Sequence, residues 1–235
     1  MDINYQIFKS LKGEFEAEGL TRVNVASEAL FASRLGLDYL VKISGAEAKS
    51  DLNYIADLGI KSLTCPMIET PFAMKKYIEM LPRGTFEHIG VTIETITAVA
   101  NIETILNEGK SLTNVTIGRS DLTASWCGDH VESERTMEMV KKVARAAKNR
   151  NLQVTMGGSI GSATIELLRK DPVLYDLIDY IETRKVVMSV KSSIENHSLQ
   201  NALKVEKVLL DRRARQSERT LCVINSRRDV ISKRV

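Results

Sequence analysis

Short apolar, β-branched runs alternate with longer amphipathic stretches along most of the chain, and glycine closes several of those stretches. This alternation predicts an α/β protein, and about seven or eight such units favour a closed (β/α)8 TIM barrel over an open parallel sheet. A length of 235 residues suits one domain with a sizeable core, and 43% hydrophobic with 27% charged residues is an ordinary globular balance.

Residues 2–11 read as a short helix. Residues 14–19 alternate strictly and read as the first strand, with Glu14, Glu16 and Glu18 on one face and a cation or basic groups facing them. Residues 22–35 read as a helix stopped by Gly36, and 38–43 as a strand. The cycle repeats with a helix over 46–58, a strand over 61–67, a helix over 70–81 broken at Pro82, and a strand over 88–94. A helical pattern over 95–106 leads to a strand over 114–117 and a tight polar turn, Gly118-Arg119-Ser120-Asp121-Leu122. A helix over 133–149, a strand over 153–156 ending at Gly157-Gly158-Ser159, and a helix over 163–170 follow. The apolar segment 177–188, interrupted by Glu182-Thr183-Arg184-Lys185, reads as one strand or two, which leaves the eighth strand open. The last helix is expected over 199–215, with Leu203, Val205, Val208, Leu209 and Leu210 as its apolar face. The barrel with this helix then takes 1–215, and 216–235 is a basic tail. The charge run from Arg212 onward reads as a solvated terminus, and packing on a neighbouring subunit is the alternative.

A net charge of +3, with basic residues dispersed except near the end, argues against nucleic acid as a partner and leaves small anions. Cys65, Cys127 and Cys222 show no CxxC spacing, so neither a disulfide framework nor a zinc site is expected. The N-terminus lacks a signal-peptide pattern and no apolar run approaches the length of a membrane span, so the chain reads as cytoplasmic.

Glu94 and Asp121 both fall at the carboxyl ends of strands, which in a barrel open onto one face. Two such carboxylates suggest a metal site, although each would equally cap the following helix. Lys42 ends a strand too, and reads as a lysine reaching water, a substrate-binding cation or a Schiff-base lysine. Glu47 and Glu69 lie just past neighbouring strand ends. Arg119 is a turn residue or an anion clamp, and Gly157-Gly158 a ligand approach or a plain turn. His88, His130 and His197 have no metal-triad spacing; His130 shares a loop with Trp126 and Cys127 that would close over a site. Cys65 reads as a small buried residue.

The run Ile93-Glu94-Thr95, then Ala98 and Asn101-Ile102-Glu103-Thr104-Ile105-Leu106, followed by Ile117-Gly118-Arg119-Ser120-Asp121-Leu122-Thr123, resembles the HpcH/HpaI aldolase and citrate lyase beta-subunit family. Glu94 and Asp121 stand 27 positions apart, close to that family's spacing, and 57–63 with Cys65-Pro66-Met67-Ile68-Glu69-Thr70 looks like its preceding βα unit. The likeness covers roughly residues 13–188. It implies a modified TIM barrel, a homo-oligomer, and Mg²⁺ or Mn²⁺ held by Glu94 and Asp121 with positions left for water. It further implies a metal-dependent aldolase or carbon–carbon lyase, in which a 2-keto acid of the pyruvate or oxaloacetate type chelates the ion and the ion stabilises its enolate. The amides of Gly118, Arg119 and Ser120 would hold the substrate carboxylate, with Glu47 and Glu69 as further candidates nearby.

The sequence departs from the family pattern twice. Lys42 stands where many members have a substrate-binding arginine, and Glu18 where the aldolases carry a histidine. Glu18, Glu16 or a metal-bound water would then move the proton, and the two carboxylates are otherwise polar lining. The alternatives are the same barrel acting on phosphoenolpyruvate, phosphonopyruvate or an acyl-CoA thioester, and a non-catalytic metabolite-binding subunit.

Overall fold

The computed structural model describes residues 3–195 and 198–232. Eight strands close into a barrel in chain order: β1 (Ser10–Glu14), β2 (Asp38–Lys42), β3 (Ser62–Cys65), β4 (His88–Ile93), β5 (Asn114–Gly118), β6 (Gln153–Gly157), β7 (Tyr180–Glu182) and β8 (Val186–Ser189). From β1 to β7 each neighbouring pair is parallel. β8 is reversed, antiparallel to both β7 and β1. Only Thr183, Arg184 and Lys185 separate β7 from β8, whereas a parallel crossover needs about a dozen residues. The segment that read as one strand or two is therefore a hairpin, and the barrel is a modified one.

The helices are α1 (Arg22–Arg34), α2 (Lys49–Asp57), α3 (Pro71–Met80), α4 (Ile96–Ala100), α5 (Ile102–Glu108), α6 (Arg119–Ala124), α7 (Glu134–Lys148), α8 (Ser162–Lys170), α9 (Pro172–Leu177), α10 (Val190–Glu195) and α11 (Ser198–Ser232). Thr21, Thr70, Thr95 and Ser133 each accept a hydrogen bond from the amide three residues on, so α1, α3, α4 and α7 start where a capping side chain satisfies an orphan donor.

Several expected elements change. The first strand covers Ser10–Glu14 rather than 14–19, and residues 2–11 contribute only a 3-10 turn at Tyr5–Ile7. All five residues of β1 are buried, the charged Lys12 and Glu14 among them, so this strand lacks the apolar, β-branched run that marks the others. Glu16 and Glu18 lie in the turn beyond β1 and share no strand face with Glu14. The 95–106 pattern is two helices, broken at Asn101, whose side-chain amide donates to the Glu69 carbonyl at 2.9 Å. The expected polar turn after β5 is α6 itself, starting at Arg119. The last helix runs without interruption to Ser232 instead of ending at 215. His197 and residues 233–235 of the basic tail lie outside the described residues.

Thr92, Thr116 and Thr155 stand in register across β4, β5 and β6, each no more than 3% exposed. Their chain neighbours Val91, Val115 and Val154 point to the opposite face and are fully buried. The barrel thus keeps a polar lining on one side of these strands and an apolar layer on the other.

α11 packs back on the barrel through Ala202, Val205 and Leu209. Beyond them the Arg212 guanidinium lies over the Phe31 ring at 4.6 Å, and Arg213 pairs with Glu18 at 2.6 Å and Glu28 at 2.8 Å. Lys185, fully buried in the β7–β8 turn, meets the same two carboxylates at 2.6 and 3.1 Å. The Tyr39 hydroxyl also donates to Glu28, at 2.9 Å. A Cβ on Gly13 would fall 2.0 Å from that hydroxyl oxygen, so this glycine makes room for the cluster. Among the described residues, no helix is long and apolar enough to cross a membrane.

Candidate active site

The strand carboxyl ends open into a cavity of about 470 Å³. Glu94, one residue past β4, is 2% exposed on its wall. Its Oε1 accepts from the Met67 amide at 3.0 Å, and its Oε2 lies 3.4 Å from Lys42 Nζ. Met67 reaches it because the loop after β3 bends through a positive φ of 54° there. Gly118 leaves Glu94 its space, since a Cβ would fall 2.8 Å from Oε2. Asp121, in the first turn of α6, lines the same wall with its side chain exposed. Burial raises the Glu94 carboxyl above its ordinary value, Asp121 adds to this, and Lys42 and the Met67 amide only partly offset it.

Charges continue around the mouth. Lys42 lies 4.0 Å from Glu14, Glu14 lies 2.8 Å from Lys12, and Lys12 lies 2.6 Å from Glu182. Glu182, Lys12, Glu14, Lys42 and Glu94 thus alternate in sign from β7 through β1 and β2 to β4. Burial works against the Lys12 ammonium, but Glu182 and Glu14 outweigh it and raise its pKa. Burial likewise works against Glu14, and here Lys12 and Lys42 prevail and hold the carboxyl below its usual value.

That shift makes a prediction. A carboxyl whose pKa is lower in the folded chain binds fewer protons there than when unfolded, so its contribution is complete above the unfolded value of about 4.3 and is lost as pH falls through the folded value. Glu14→Gln is expected to be less stable than wild type at neutral pH, with the gap in urea midpoint narrowing below about pH 4.3. A gap that is constant or widens on acidification would contradict the ion-pair account.

Of the residues expected at the site, Glu94, Asp121, Lys42, Gly118 and Ser120 are brought together on the cavity wall. Others go elsewhere. Glu18 turns into the cluster with Lys185 and Arg213 and does not line the cavity, because those two cations draw its carboxylate toward α11. Glu16 and Glu47 are exposed and do not line it either. Glu69 accepts from the Thr95 hydroxyl at 2.6 Å, which ties it to the start of α4. The Arg119 guanidinium is no anion clamp: the side chain is fully buried and donates to the Gly157 and Gly158 carbonyls at 3.1 and 2.7 Å and to Thr164 at 3.1 Å. What approaches Gly158 is backbone, since a Cβ there would lie 2.4 Å from the Ser120 nitrogen. His130 is exposed on its loop, and His88 starts β4 at the opposite end of the strand from Glu94.

Lys12, Glu14 as a site residue, Glu182 and Thr183 went unassigned in the sequence. A signal existed for the first two: Lys12-Gly13-Glu14 puts opposite charges two residues apart, hence on one face of a strand.

Glu94 and Asp121 fit a divalent ion. They are hard oxygen donors at adjacent strand ends, and the cavity leaves the remaining positions to water or ligand. Among the described residues, no group of three or more Asp, Glu, His or Cys side chains is placed to hold a metal ion.

A barrel parallel from β1 to β7, carrying its charged side chains in a cavity at the strand carboxyl ends, is of the enzyme-bearing type. Residues 21–164 match the family model for HpcH/HpaI aldolase/citrate lyase, and the chain belongs to that family of aldolase- and lyase-type proteins. Solved structures share its fold. A HpcH/HpaI aldolase/citrate lyase family protein from Burkholderia cenocepacia J2315 aligns with a TM-score of 0.65 at 16% identity, over 86% of this chain and 87% of that one. The HpcH/HpaI aldolase from Desulfitobacterium hafniense DCB-2 aligns at 0.60 and 17% identity, over 68% of this chain and 72% of that one. The citrate lyase beta subunit from M. tuberculosis, complexed with oxaloacetate and magnesium, aligns at 0.50 and 16% identity, over 68% and 73%. At such identities the likeness is one of fold. No curated protein sequence matches the chain.

Proposed function

We propose that this barrel is a divalent-metal-dependent carbon–carbon lyase or aldolase acting on a 2-keto acid of the pyruvate or oxaloacetate type. The observation that carries the reading is the pairing of buried Glu94 with Asp121 on a cavity wall where Lys42 stands 3.4 Å from Glu94. Glu94 and Asp121 would hold Mg²⁺ or Mn²⁺, which when bound supplies Lewis-acid stabilisation of an enolate. Lys42, aimed by Glu14 and Glu94, adds a fixed cation beside the same developing charge. Gly118 and Ser120 offer the wall on which the substrate carboxylate lies. The carboxylate that reaches the cavity from β1 is Glu14, and its ion pairs with Lys12 and Lys42 make it a group that positions Lys42 rather than the proton acceptor expected of Glu16 or Glu18. An ion-paired ammonium is a poor nucleophile, which favours Lys42 as an electrostatic group over a Schiff-base lysine.

The test needs no knowledge of the second substrate. In D₂O the methyl protons of pyruvate are expected to exchange when Mg²⁺ or Mn²⁺ is present and to persist when EDTA is added, as followed by proton NMR. Exchange that survives EDTA and is trapped by borohydride would move the chemistry to Lys42. No exchange under any condition would sink pyruvate enolisation.

A further inference from the structure

We infer that the β7 side of the cavity is a second ligand subsite, formed by Glu182 and Thr183 and suited to a neutral molecule bearing hydroxyl groups. Naming that ligand the second substrate rests on the lyase reading; the subsite itself does not.

Two glycines stand in register at the ends of neighbouring strands, Gly118 of β5, which lines the cavity, and Gly157 of β6, buried beneath Glu182. Glu94 leans over the first. Glu182 leans over the second, where an added Cβ would meet its Cγ and Oε1 at 2.9 Å.

The two ends differ in what they leave unsatisfied. Both oxygens of Glu94 have partners. Glu182 gives Oε1 to Lys12 at 2.6 Å, while its Oε2 is buried with no hydrogen-bond partner among the described residues. The residue is 7% exposed and lines the cavity. Thr183, next in the chain and on the same wall, likewise has a buried hydroxyl with no partner among the described residues. Buried polar atoms are ordinarily paired, so two orphans side by side on a cavity wall point to a ligand that pairs them. One ligand hydroxyl donates to Glu182 Oε2, and another exchanges a hydrogen bond with Thr183 Oγ1.

Charge narrows the class. The Glu182 carboxylate repels a ligand carboxylate or phosphate, its buried partner Lys12 is already shared between Glu182 and Glu14, and Arg184, which lines the same cavity, is exposed and screened by solvent. The reversed β8 builds this wall: the turn is closed by the Thr183 amide on the Val186 carbonyl at 3.0 Å, in place of the loop and helix that follow the other strands.

The experiment is a saturation-transfer NMR titration of the full chain, with Mg²⁺ and without pyruvate, using glycerol and 1-propanol, which share a carbon skeleton and differ in hydroxyl number. Glycerol is expected to bind about tenfold more tightly, and Glu182→Gln or Thr183→Val to remove most of that preference. Thr183→Val is the safer variant for folding because it leaves the ion pairs of Lys12 intact. Equal binding by the wild-type chain, or a preference that both variants retain, overturns the subsite. Tighter binding of D-glycerate than of glycerol overturns the neutral class. Pyruvate exchange by the wild-type chain separately decides the lyase reading, so the two failures are distinguishable.

Discussion

Glu94→Gln is expected to lower metal-dependent exchange of the pyruvate methyl protons by about 10³-fold, the scale on which removal of one preorganised charge-stabilising group acts. The substitution preserves shape. Its amide oxygen can still accept from the Met67 amide, which holds Oε1 at 3.0 Å, and it fits the space that Gly118 leaves. What it removes is the charge that would hold the ion and that now pairs with Lys42 at 3.4 Å. Loss of exchange should therefore coincide with loss of Mn²⁺ affinity, read independently by electron paramagnetic resonance of free Mn²⁺. Exchange lost with Mn²⁺ affinity intact would show that Glu94 acts only through Lys42. Exchange retained at the wild-type rate would remove Glu94 from the chemistry.

The largest effect on stability is expected at Lys185. Its ammonium is fully buried between Glu18 and Glu28, at 2.6 and 3.1 Å. Lys185→Met fills a similar volume but leaves the two buried carboxylates with Arg213 as counter-charge and the Tyr39 hydroxyl on Glu28, and breaking a buried pair from one side costs about 3–5 kcal/mol. Arg213 is partly solvated, with a side chain 20% exposed, so it relieves only part of that charge. Urea unfolding of the variant should show a midpoint lowered accordingly, with an unchanged slope. Adding Glu18→Gln should recover part of the loss, because one carboxylate, Glu28, is then matched by one cation, Arg213. A Lys185→Met protein as stable as wild type would mean that the cluster contributes no net stability.

This cluster also explains why Glu18 was misplaced by sequence reasoning. In the chain it follows β1 closely, as an acid/base residue would. Its direction is set by Lys185 and Arg213, which lie far along the sequence and reach it only because β8 reverses and α11 returns to the barrel. Arg119 shows the same limit. Beside Asp121 it reads as an anion clamp, yet the carbonyls of Gly157 and Gly158 and the Thr164 hydroxyl take its guanidinium inside the fold.

The barrel class, most strand and helix positions, and the pairing of Glu94 with Asp121 and Lys42 were legible in the amino-acid order alone. These depend on local periodicity, on capping residues, and on the rule that strand carboxyl ends of a parallel barrel share one face. The tertiary structure decided the start of β1, the hairpin of β7 and β8, and which carboxylates face the cavity. β1 is short and buries Lys12 and Glu14, charged residues that local propensity disfavours in a strand. The direction of a long charged side chain depends on counter-charges that folding brings from distant positions, as Lys12 does for Glu182 and Arg213 for Glu18.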